Sequence, residues 1–365
     1  MYKNLAATLV AAFAFTAAVA APATPASSTA QPATKAAWIY MSPITEAGWT
    51  YQHELARQQV NKQFGNRVQT THVANVPEGP DAERVLRDLA SQGNQIIFTT
   101  SFGYMEPAMK VARDFPNVKF EVLTGLKRAP NVATANARYY EGRYLAGVAA
   151  GRMSKSPTVG YVAGFPIPEV LQGINAFALG LRSVNPKAQV RVIWLNEWFN
   201  PARERDATML LMDQGADVLA FHTGSTAVPV AVQERGKYVV AYHSDMRKFA
   251  PTAQIVAVTH HWGDYEASRI RALQAGQWKS QDVWLGMKQG AIRVDHFGPQ
   301  VPAAVRQEVL ARQADIAAGR LHPFTGPLHD QNGKLVLPAG KTLSDAQILK
   351  MNWLVQGVQA SGFNR

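Results

Sequence analysis

The sequence predicts an α/β protein built from two doubly wound lobes. Short apolar runs rich in Val, Ile and aromatic residues alternate with longer amphipathic stretches, which is the pattern of parallel strands joined by helices. The alternation occurs in two series, the first from AAWIYM to VKFEVL and the second from TVGYVA to YVVAYH. In addition, about 330 residues follow the N-terminal leader, which is too many for one ordinary hydrophobic core. Two sheets, and therefore two lobes, are expected.

The N-terminal segment has the layout of a secretory signal peptide. Lys3 precedes an uncharged apolar stretch that ends in Ala-Val-Ala, and this stretch is shorter than the roughly 20 residues that cross a bilayer. We predict a signal peptide over residues 1–20, with cleavage after Ala20. Residues 21–36 are rich in Ala, Pro, Ser and Thr, which is typical of a flexible leader. Folding is then expected to begin near Ala37.

The composition argues against several chemistries. The chain has no cysteine, which rules out disulfides, cysteine nucleophiles and a lipid anchor on an N-terminal cysteine. The formal net charge is +11, but the basic residues are scattered among acids, so nucleic acid is not an expected partner. The adjacent His260 and His261 face opposite sides of a strand and have no nearby acid at ligand spacing, so neither a metal nor another cofactor is predicted.

Catalytic motifs are also missing from the sequence. GXSXG, HEXXH, GXXXXGK(S/T) and GXGXXG do not occur, and nothing pairs the serines with the histidines. The protein is therefore predicted not to be an enzyme.

Aromatic residues follow the ends of several predicted strands. They are Trp49, Tyr104, Phe165, Trp198 and Phe199. In open α/β sheets, ligands bind outside the carboxyl ends of the strands, so these side chains are candidates to stack on a planar ligand. The alternative is that they cap the sheet core.

Three more residues at strand ends are candidate ligand contacts. Asp245 follows YVVAYH, where its carboxylate could accept from ligand N–H groups or could cap a helix instead. His222 ends ADVLAFH and is followed by TGST, whose hydroxyl and N–H groups can bind a polar edge or cap a helix. Trp262, beside the two adjacent histidines, is a further candidate for the same cleft.

Five segments of the sequence are distinctive in combination. They are RYYEGRYLAGVAAG (138–151), VGYVAGFPIPEVLQGINAFALGLRSVNP (159–186), GADVLAFHTGS (215–225), YHSD (242–245) and FTGPLHDQNGKLVLPAG (324–340). Together they resemble the basic membrane protein family of solute-binding proteins, which includes the purine nucleoside receptors. The resemblance extends over roughly residues 37–362, and the combination of motifs is far more specific than any one of them.

The resemblance implies a type I periplasmic binding protein fold, with two lobes joined by a three-stranded hinge and a ligand held between them. On that basis, we assign residues 37–157 and about 255–280 to the first lobe, and residues 158–254 and about 281–365 to the second. It also implies a small-molecule ligand, delivery to an ABC permease in the inner membrane, and a monomer in the periplasm.

The family pattern also suggests roles for individual residues. Trp49 corresponds to an aromatic residue that stacks on a purine, and Asp245 corresponds to an acid that binds the ligand's polar edge. Nucleoside-binding members carry Gly-aromatic-Asn-Asp, whereas here Thr50 and Tyr51 follow the tryptophan, so ribose recognition is not expected. The WFNP sequence at 198–201 resembles a subgroup associated with free nucleobases such as adenine.

We therefore predict that a purine base binds between Trp49 and either Trp198 or Phe199. Other nucleobases, nucleosides and a flavin-like compound are alternative ligands. A periplasmic enzyme acting on nucleosides, or a ligand-sensing receptor of the same fold, are alternative functions.

Overall fold

A computed structural model describes Met1 and residues 32–363. The predicted signal peptide, apart from Met1, and residues 21–31 of the predicted leader lie outside the described residues. The first strand begins at Thr34, three residues before the expected start of the fold, and Ala36 is already fully buried. The strand starts early because it pairs in parallel with strands on both of its sides. Residues 34–36 therefore belong to the fold and not to the leader.

The first five strands alternate with three helices. In chain order they are β1 (Thr34–Ile39), α1 (Trp49–Phe64), β2 (Val68–Val73), α2 (Pro80–Ser91), β3 (Ile96–Thr99), α3 (Met105–Asp114), β4 (Lys119–Leu123) and β5 (Val132–Ala137).

The second series begins with a helix and contains five strands. Its elements are α4 (Tyr139–Met153), β6 (Thr158–Ala163), α5 (Pro168–Val184), β7 (Gln189–Trp194), α6 (Pro201–Asp213), β8 (Val218–His222), α7 (Ala227–Glu234), β9 (Tyr238–His243) and β10 (Gln254–His260).

The remaining elements are shared between the two halves of the molecule. They are α8 (Gly263–Gln274), β11 (Asp282–Leu285), β12 (Ile292–Asp295), α9 (Ala303–Ala317), β13 (Leu328–His329), β14 (Leu335–Leu337), α10 (Asp345–Leu349) and β15 (Val358–Ala360). Short 3₁₀ turns cover residues 65–67, 102–104 and 287–289.

The strands form two main sheets with the same internal order. The first sheet runs β2-β1-β3-β4-β5-β11, and the second runs β15-β7-β6-β8-β9-β10-β12. All the pairings are parallel except that between β10 and β12. Both sheets have the 2-1-3-4-5 order of a doubly wound fold, with a crevice at the point where the winding reverses. The predicted fold class, an α/β protein with parallel sheets in two lobes, is confirmed.

The lobe boundaries in the structure differ from the expected ones. Residues 254–260 form β10 and pair with β9 and β12, so they belong to the second sheet. Residues 282–285 form β11 and pair with β5, so they belong to the first sheet. The chain therefore passes between the sheets three times, at Arg138, at residues 261–262 and at residues 286–291.

The packing of α4 on α5 depends on glycine. A Cβ atom added to Gly147 would lie 2.0 Å from the carbonyl oxygen of Phe177, and one added to Gly180 would lie 1.9 Å from that of Tyr144. No side chain fits at such distances, so the two helix backbones touch directly. Because α4 begins directly after the first crossing at Arg138, its contact with α5 anchors that crossing to the second lobe.

Among the residues described, no helix is both long and apolar enough to cross a membrane.

Candidate ligand-binding site

A cavity of about 460 Å³ lies between the carboxyl ends of strands from both sheets. The side chains and backbone that line it from the first lobe belong to Met41, Trp49, Ser101, Phe102 and Thr124. The second lobe contributes Ile167, Glu169, Trp198, His222, Thr223, Gly224 and His243. This empty space includes the part of the cleft that is open to solvent, and its location is the crevice that the sheet order predicts.

Trp49, the first residue of α1, is held rigidly in the cavity wall. Its indole N–H donates a hydrogen bond of 2.7 Å to the carbonyl oxygen of Thr100. The ring also packs against three histidines, His53, His243 and His260, with centroid separations of 4.5, 5.3 and 4.8 Å. A ring that is fixed in this way presents an aromatic surface to a ligand at little cost in conformational entropy.

Gly48 brings the two lobes into direct contact beside this tryptophan. It caps α1 at its N-terminus with a φ of 97°, and a Cβ atom there would lie 2.2 Å from the carbonyl oxygen of Gly224. Its backbone N–H also donates to the hydroxyl of Ser244 over 3.0 Å, and that hydroxyl lies 3.2 Å from Oε1 of Gln52. The loops after β1, β8 and β9 therefore meet at one edge of the cavity.

Trp198 supplies the aromatic side chain of the second lobe. It lies in the loop after β7, where its ring meets Phe165 edge-on at a centroid distance of 4.9 Å. Gly164 permits this packing, because a Cβ atom at that position would lie 2.7 Å from the indole ring. One tryptophan from each lobe thus lines the same cavity.

Two of the lining residues have strained backbones. Thr124 has a φ of 68° and His243 a φ of 72°, values that residues other than glycine rarely adopt. Such strain is concentrated at functional sites in proteins because elsewhere nothing compensates for its cost. The strain therefore supports the cavity as the functional site.

Glu169 supplies the carboxyl group of the cavity. It lies in the first turn of α5, and its side chain is 14% exposed. Burial raises the pKa of this carboxyl to about 7, against the lowering effects of a hydrogen bond from Asn136 and the charge of Arg143. Its Oε1 atom lies 3.7 Å from Nε2 of His222, which is beyond hydrogen-bonding distance. Apart from the hydrogen bond from Asn136, the carboxyl group is available to bind a polar edge of a ligand.

Four buried histidines surround Trp49 and the cavity, namely His53, His222, His243 and His260. Burial lowers the pKa of each of them, that of His53 to about 3 and those of the others well below 6.5. All four are consequently neutral at pH 7. Among the described residues, no group of three or more potential ligands is arranged to hold a metal ion.

The buried histidines make the fold sensitive to acid. The folded state keeps His53 neutral down to about pH 3, whereas an unfolded chain protonates it near pH 6.5. The stabilising contribution of neutral His53 is therefore complete above pH 6.5 and is lost as the pH falls below that value. Between pH 6.5 and 5, the wild type should lose about 1.5 kcal/mol of unfolding free energy relative to His53→Leu. Urea unfolding of both proteins at the two pH values measures this difference, and parallel changes in both would contradict the expectation.

Two of the aromatic candidates lie in the core. Tyr104 is fully buried and donates a hydrogen bond of 2.6 Å from its hydroxyl to the carbonyl oxygen of Val76. Trp262 is 1% exposed and packs on His53 and Tyr265 with centroid separations of 5.8 and 6.0 Å. Neither is among the residues that line the cavity. Trp262 instead supports His53, which in turn supports Trp49.

Phe199 and Asp245 also lie outside the cavity lining. Phe199 lines a separate surface depression near Pro201. The Asp245 carboxylate accepts hydrogen bonds from the Arg247 guanidinium at 2.7 Å and from the Gln254 amide at 2.9 Å. These bonds lower the pKa of Asp245 despite its partial burial. Of the eight candidate residues named from the sequence, three line the cavity, namely Trp49, Trp198 and His222.

The most important lining residue absent from the sequence prediction is Glu169. It follows the proline that begins α5, and an acid in the first turn of a helix is favoured by the helix dipole alone. Its position shortly after the end of β6 could have identified Glu169 as a candidate, because it lies at the same edge of the sheet as the aromatic candidates. His243, the last residue of β9, had the same positional signal.

Two doubly wound sheets, three crossings and a cavity between the lobes define the type I periplasmic binding protein fold. A solved solute-binding protein of an ABC transporter from Aeropyrum pernix K1 matches with a TM-score of 0.69 and 17% identity, over 79% of this chain and 92% of that one. One from Conexibacter woesei DSM 14684 matches with a TM-score of 0.65 and 20% identity, over 80% and 98%. These similarities concern the fold.

The chain belongs to the Bmp family of ABC transporter substrate-binding proteins, PnrA-like, whose model matches residues 33–320. A purine-binding protein of Brucella abortus (strain 2308) is 48% identical over 324 residues, which are 89% of this chain and 92% of the relative. TsgA13 of Haloferax volcanii, which is named as an ABC transporter glucose-binding protein, is 38% identical over 80% of this chain and 74% of its own length. The resemblance seen in the sequence is confirmed, and proteins of this class bind small molecules and deliver them to a membrane permease.

Proposed function

We propose that this protein binds a purine nucleobase, such as adenine, in the cavity between its lobes and delivers it to an ABC permease. The observation that carries the proposal is the composition of the cavity wall, which has Trp49 from one lobe, Trp198 from the other and the carboxyl group of Glu169. Indole rings stack on planar bases, and a carboxyl group fixes the orientation of a base through its N–H groups. The purine-binding name of the Brucella relative supports the same ligand class.

A free base fits the site better than a nucleoside. The Thr50 hydroxyl lies 2.6 Å from that of Ser42 and is buried, so it is already paired, and Thr50 is not among the residues that line the cavity. Thr50 and Tyr51 stand where nucleoside-binding relatives are expected to carry Asn and Asp. This position therefore offers little that could bind a ribose.

Glu169, in place of Asp245, is the acid that we propose contacts the ligand. Asp245 already binds Arg247 and Gln254, whereas the Glu169 carboxyl lines the cavity. His222 is a second polar side chain in the cavity wall, and it is neutral at pH 7 because burial lowers its pKa. For the cellular setting, we propose a freely diffusing periplasmic monomer, which agrees with the signal peptide predicted over residues 1–20.

Calorimetry with a panel of ligands tests the proposed function. Adenine, hypoxanthine, guanine, adenosine and glucose should be titrated into protein that has been unfolded, freed of copurified ligand and refolded. We expect tight one-to-one binding of at least one base, weaker binding of adenosine and no chemical change in any ligand. Binding of glucose without binding of any purine would contradict the proposal. Turnover of adenosine would favour an enzyme.

Removing either tryptophan should weaken base binding. Stacking on one aromatic ring contributes about 1 to 3 kcal/mol per base, so Trp49→Ala and Trp198→Ala should each raise the Kd for the bound base by roughly 5- to 150-fold. Trp353→Ala is the matched control, because this half-buried tryptophan packs in the C-terminal segment away from the cavity. An equal loss of affinity in the control, or none in the two cavity variants, would contradict the assignment.

A further inference from the structure

The ligand-facing carboxyl group of Glu169 is the starting point of a second proposal, which rests on the proposed function. Among the residues lining the described cavity, Glu169 is the only acid, and neither lysine nor arginine is present. The two lining histidines, His222 and His243, are neutral because burial lowers their pKa well below 6.5. A ligand that enters the cavity therefore meets one titratable group whose charge can change near neutral pH.

One arginine and two tyrosines lie behind Glu169. Arg143 of α4 is fully buried, and it donates to the carbonyl oxygen of Phe221 over 2.6 Å. Tyr139 and Tyr242 are also buried, and burial together with the nearby Glu169 carboxylate raises their pKa well above 10. Neither tyrosine therefore ionises between pH 6 and 8.5.

Arg143 does not neutralise the carboxylate through a direct contact. Its guanidinium stacks on the Tyr242 ring at 3.2 Å from the centroid, and no ion pair joins it to Glu169 among the described residues. A buried carboxylate without an ion-pair partner is costly, and protonation removes that cost. The geometry of the site therefore favours a carboxylic acid once a ligand excludes water from the cavity.

We propose that Glu169 binds the ligand as a protonated carboxylic acid, donating its O–H to a ring nitrogen while its second oxygen accepts from an adjacent N–H. A protonated carboxyl group carries one donor and one acceptor side by side. This pair matches an edge with a bare ring nitrogen next to an amino group, as on adenine, which presents N7 beside its N6 amino group. An edge with two adjacent donors matches the ionised carboxylate instead. The protonated Glu169 thus matches the acceptor–donor edge of adenine, and binding takes up a proton at alkaline pH.

Calorimetry of adenine binding across pH tests this proposal. Binding should be measured at pH 6 and pH 8.5 in pairs of buffers with different ionisation enthalpies, which reports the protons taken up. With a carboxyl pKa of about 7, the affinity for adenine should fall about 30-fold from pH 6 to pH 8.5, because only the protonated fraction binds. At pH 8.5 close to one proton should be taken up per adenine, and at pH 6 almost none.

Two variants separate protonation from other effects. Glu169→Gln keeps a donor and an acceptor at the same position, so its adenine affinity should stay within about threefold of the wild-type value at pH 6 and should no longer depend on pH. Glu141→Gln is the matched control. This half-buried glutamate also has a pKa raised by burial, but it accepts from the backbone N–H of Met287 outside the cavity. It should keep the wild-type pH dependence.

The possible failures are distinguishable. Adenine binding that is independent of pH, or that strengthens as the pH rises, would overturn the protonated carboxyl and leave the proposed function intact. No binding of any purine at either pH would overturn the proposed function itself. If Glu169→Gln does not fold, as judged by its thermal melt, the proton uptake of the wild type decides the proposal alone.

Discussion

Replacing Gly48 with alanine should weaken ligand binding at least about 100-fold while leaving each lobe folded. The added Cβ would lie 2.2 Å from the Gly224 carbonyl oxygen across the cleft, and neither backbone can yield without separating the lobes. A cost of about 3 kcal/mol on the closed state would leave roughly 1% of the molecules competent to enclose a ligand. Calorimetric titration of the variant with the ligand of the wild type measures the loss.

Gly79→Ala is a closely matched control for this variant. Gly79 also caps the N-terminus of a helix and has a φ of 90°, but a Cβ atom there would meet nothing within 4 Å. Both variants carry the same backbone strain, so any difference between them reports the contact across the cleft. Equal affinities in the two variants would show that closure does not require the approach of Gly48 to Gly224.

Gly180→Ala should lower the free energy of unfolding by at least about 3 kcal/mol. The new methyl group would lie 1.9 Å from the Tyr144 carbonyl oxygen, so α4 and α5 would have to move apart along their whole contact. Overpacking a core usually costs about 1 to 3 kcal/mol. Here the clash is with a backbone atom, so a change of side-chain rotamer cannot relieve it. Urea denaturation followed by circular dichroism gives the change.

Gly173→Ala, in the same helix, should have the opposite sign. A Cβ atom there would lie 3.6 Å from its nearest neighbours, which is an ordinary contact distance. Alanine is favoured over glycine in a helix by about 1 kcal/mol, so this variant should be as stable as the wild type or slightly more so. If both variants lost stability equally, the close approach of α4 to α5 at Gly180 would not explain the loss.

Much of the fold could be predicted because short-range sequence patterns specify its helices and strands. Val170, Ile174, Phe177 and Leu181 recur at helical spacing, and all four are fully buried on α5. Pro168 begins that helix, as its missing N–H suggests. The alternation of strands and helices gave both sheets, since in a doubly wound fold consecutive strands mostly lie side by side.

The exchange of strands between the lobes was not predictable in the same way. Nothing local distinguishes a strand that pairs with β9 from one that pairs with β5, because both are short apolar runs. The boundaries expected near residues 255–281 therefore placed β10 and β11 in the wrong sheets. Only long-range pairing decides which edge each strand joins.

For the site, the position of a residue along the chain predicted whether it lies near the cavity, but it did not predict whether its side chain faces the cavity. Strand ends located the cavity edge, but whether a side chain there faces the cavity depends on the turn that follows. Tyr104 turns inward to bind the Val76 carbonyl, and Asp245 turns toward Arg247. Glu169 reaches the cavity because α5 begins directly at its wall. Its environment, and therefore its pKa near 7, arises from burial that no sequence pattern displays.

The three crossings between the sheets also govern the order in which the protein can fold during its synthesis. The first sheet needs β11 at residues 282–285, and the second gains its last edge strand, β15, only at residues 358–360. A nascent chain that ends near residue 137 therefore lacks both an edge strand and α8, the helix that packs against α1. The first half is therefore complete only after residue 285, and the second only near the C-terminus. Both halves depend on strand pairings between distant parts of the chain, and pairings of this kind slow folding.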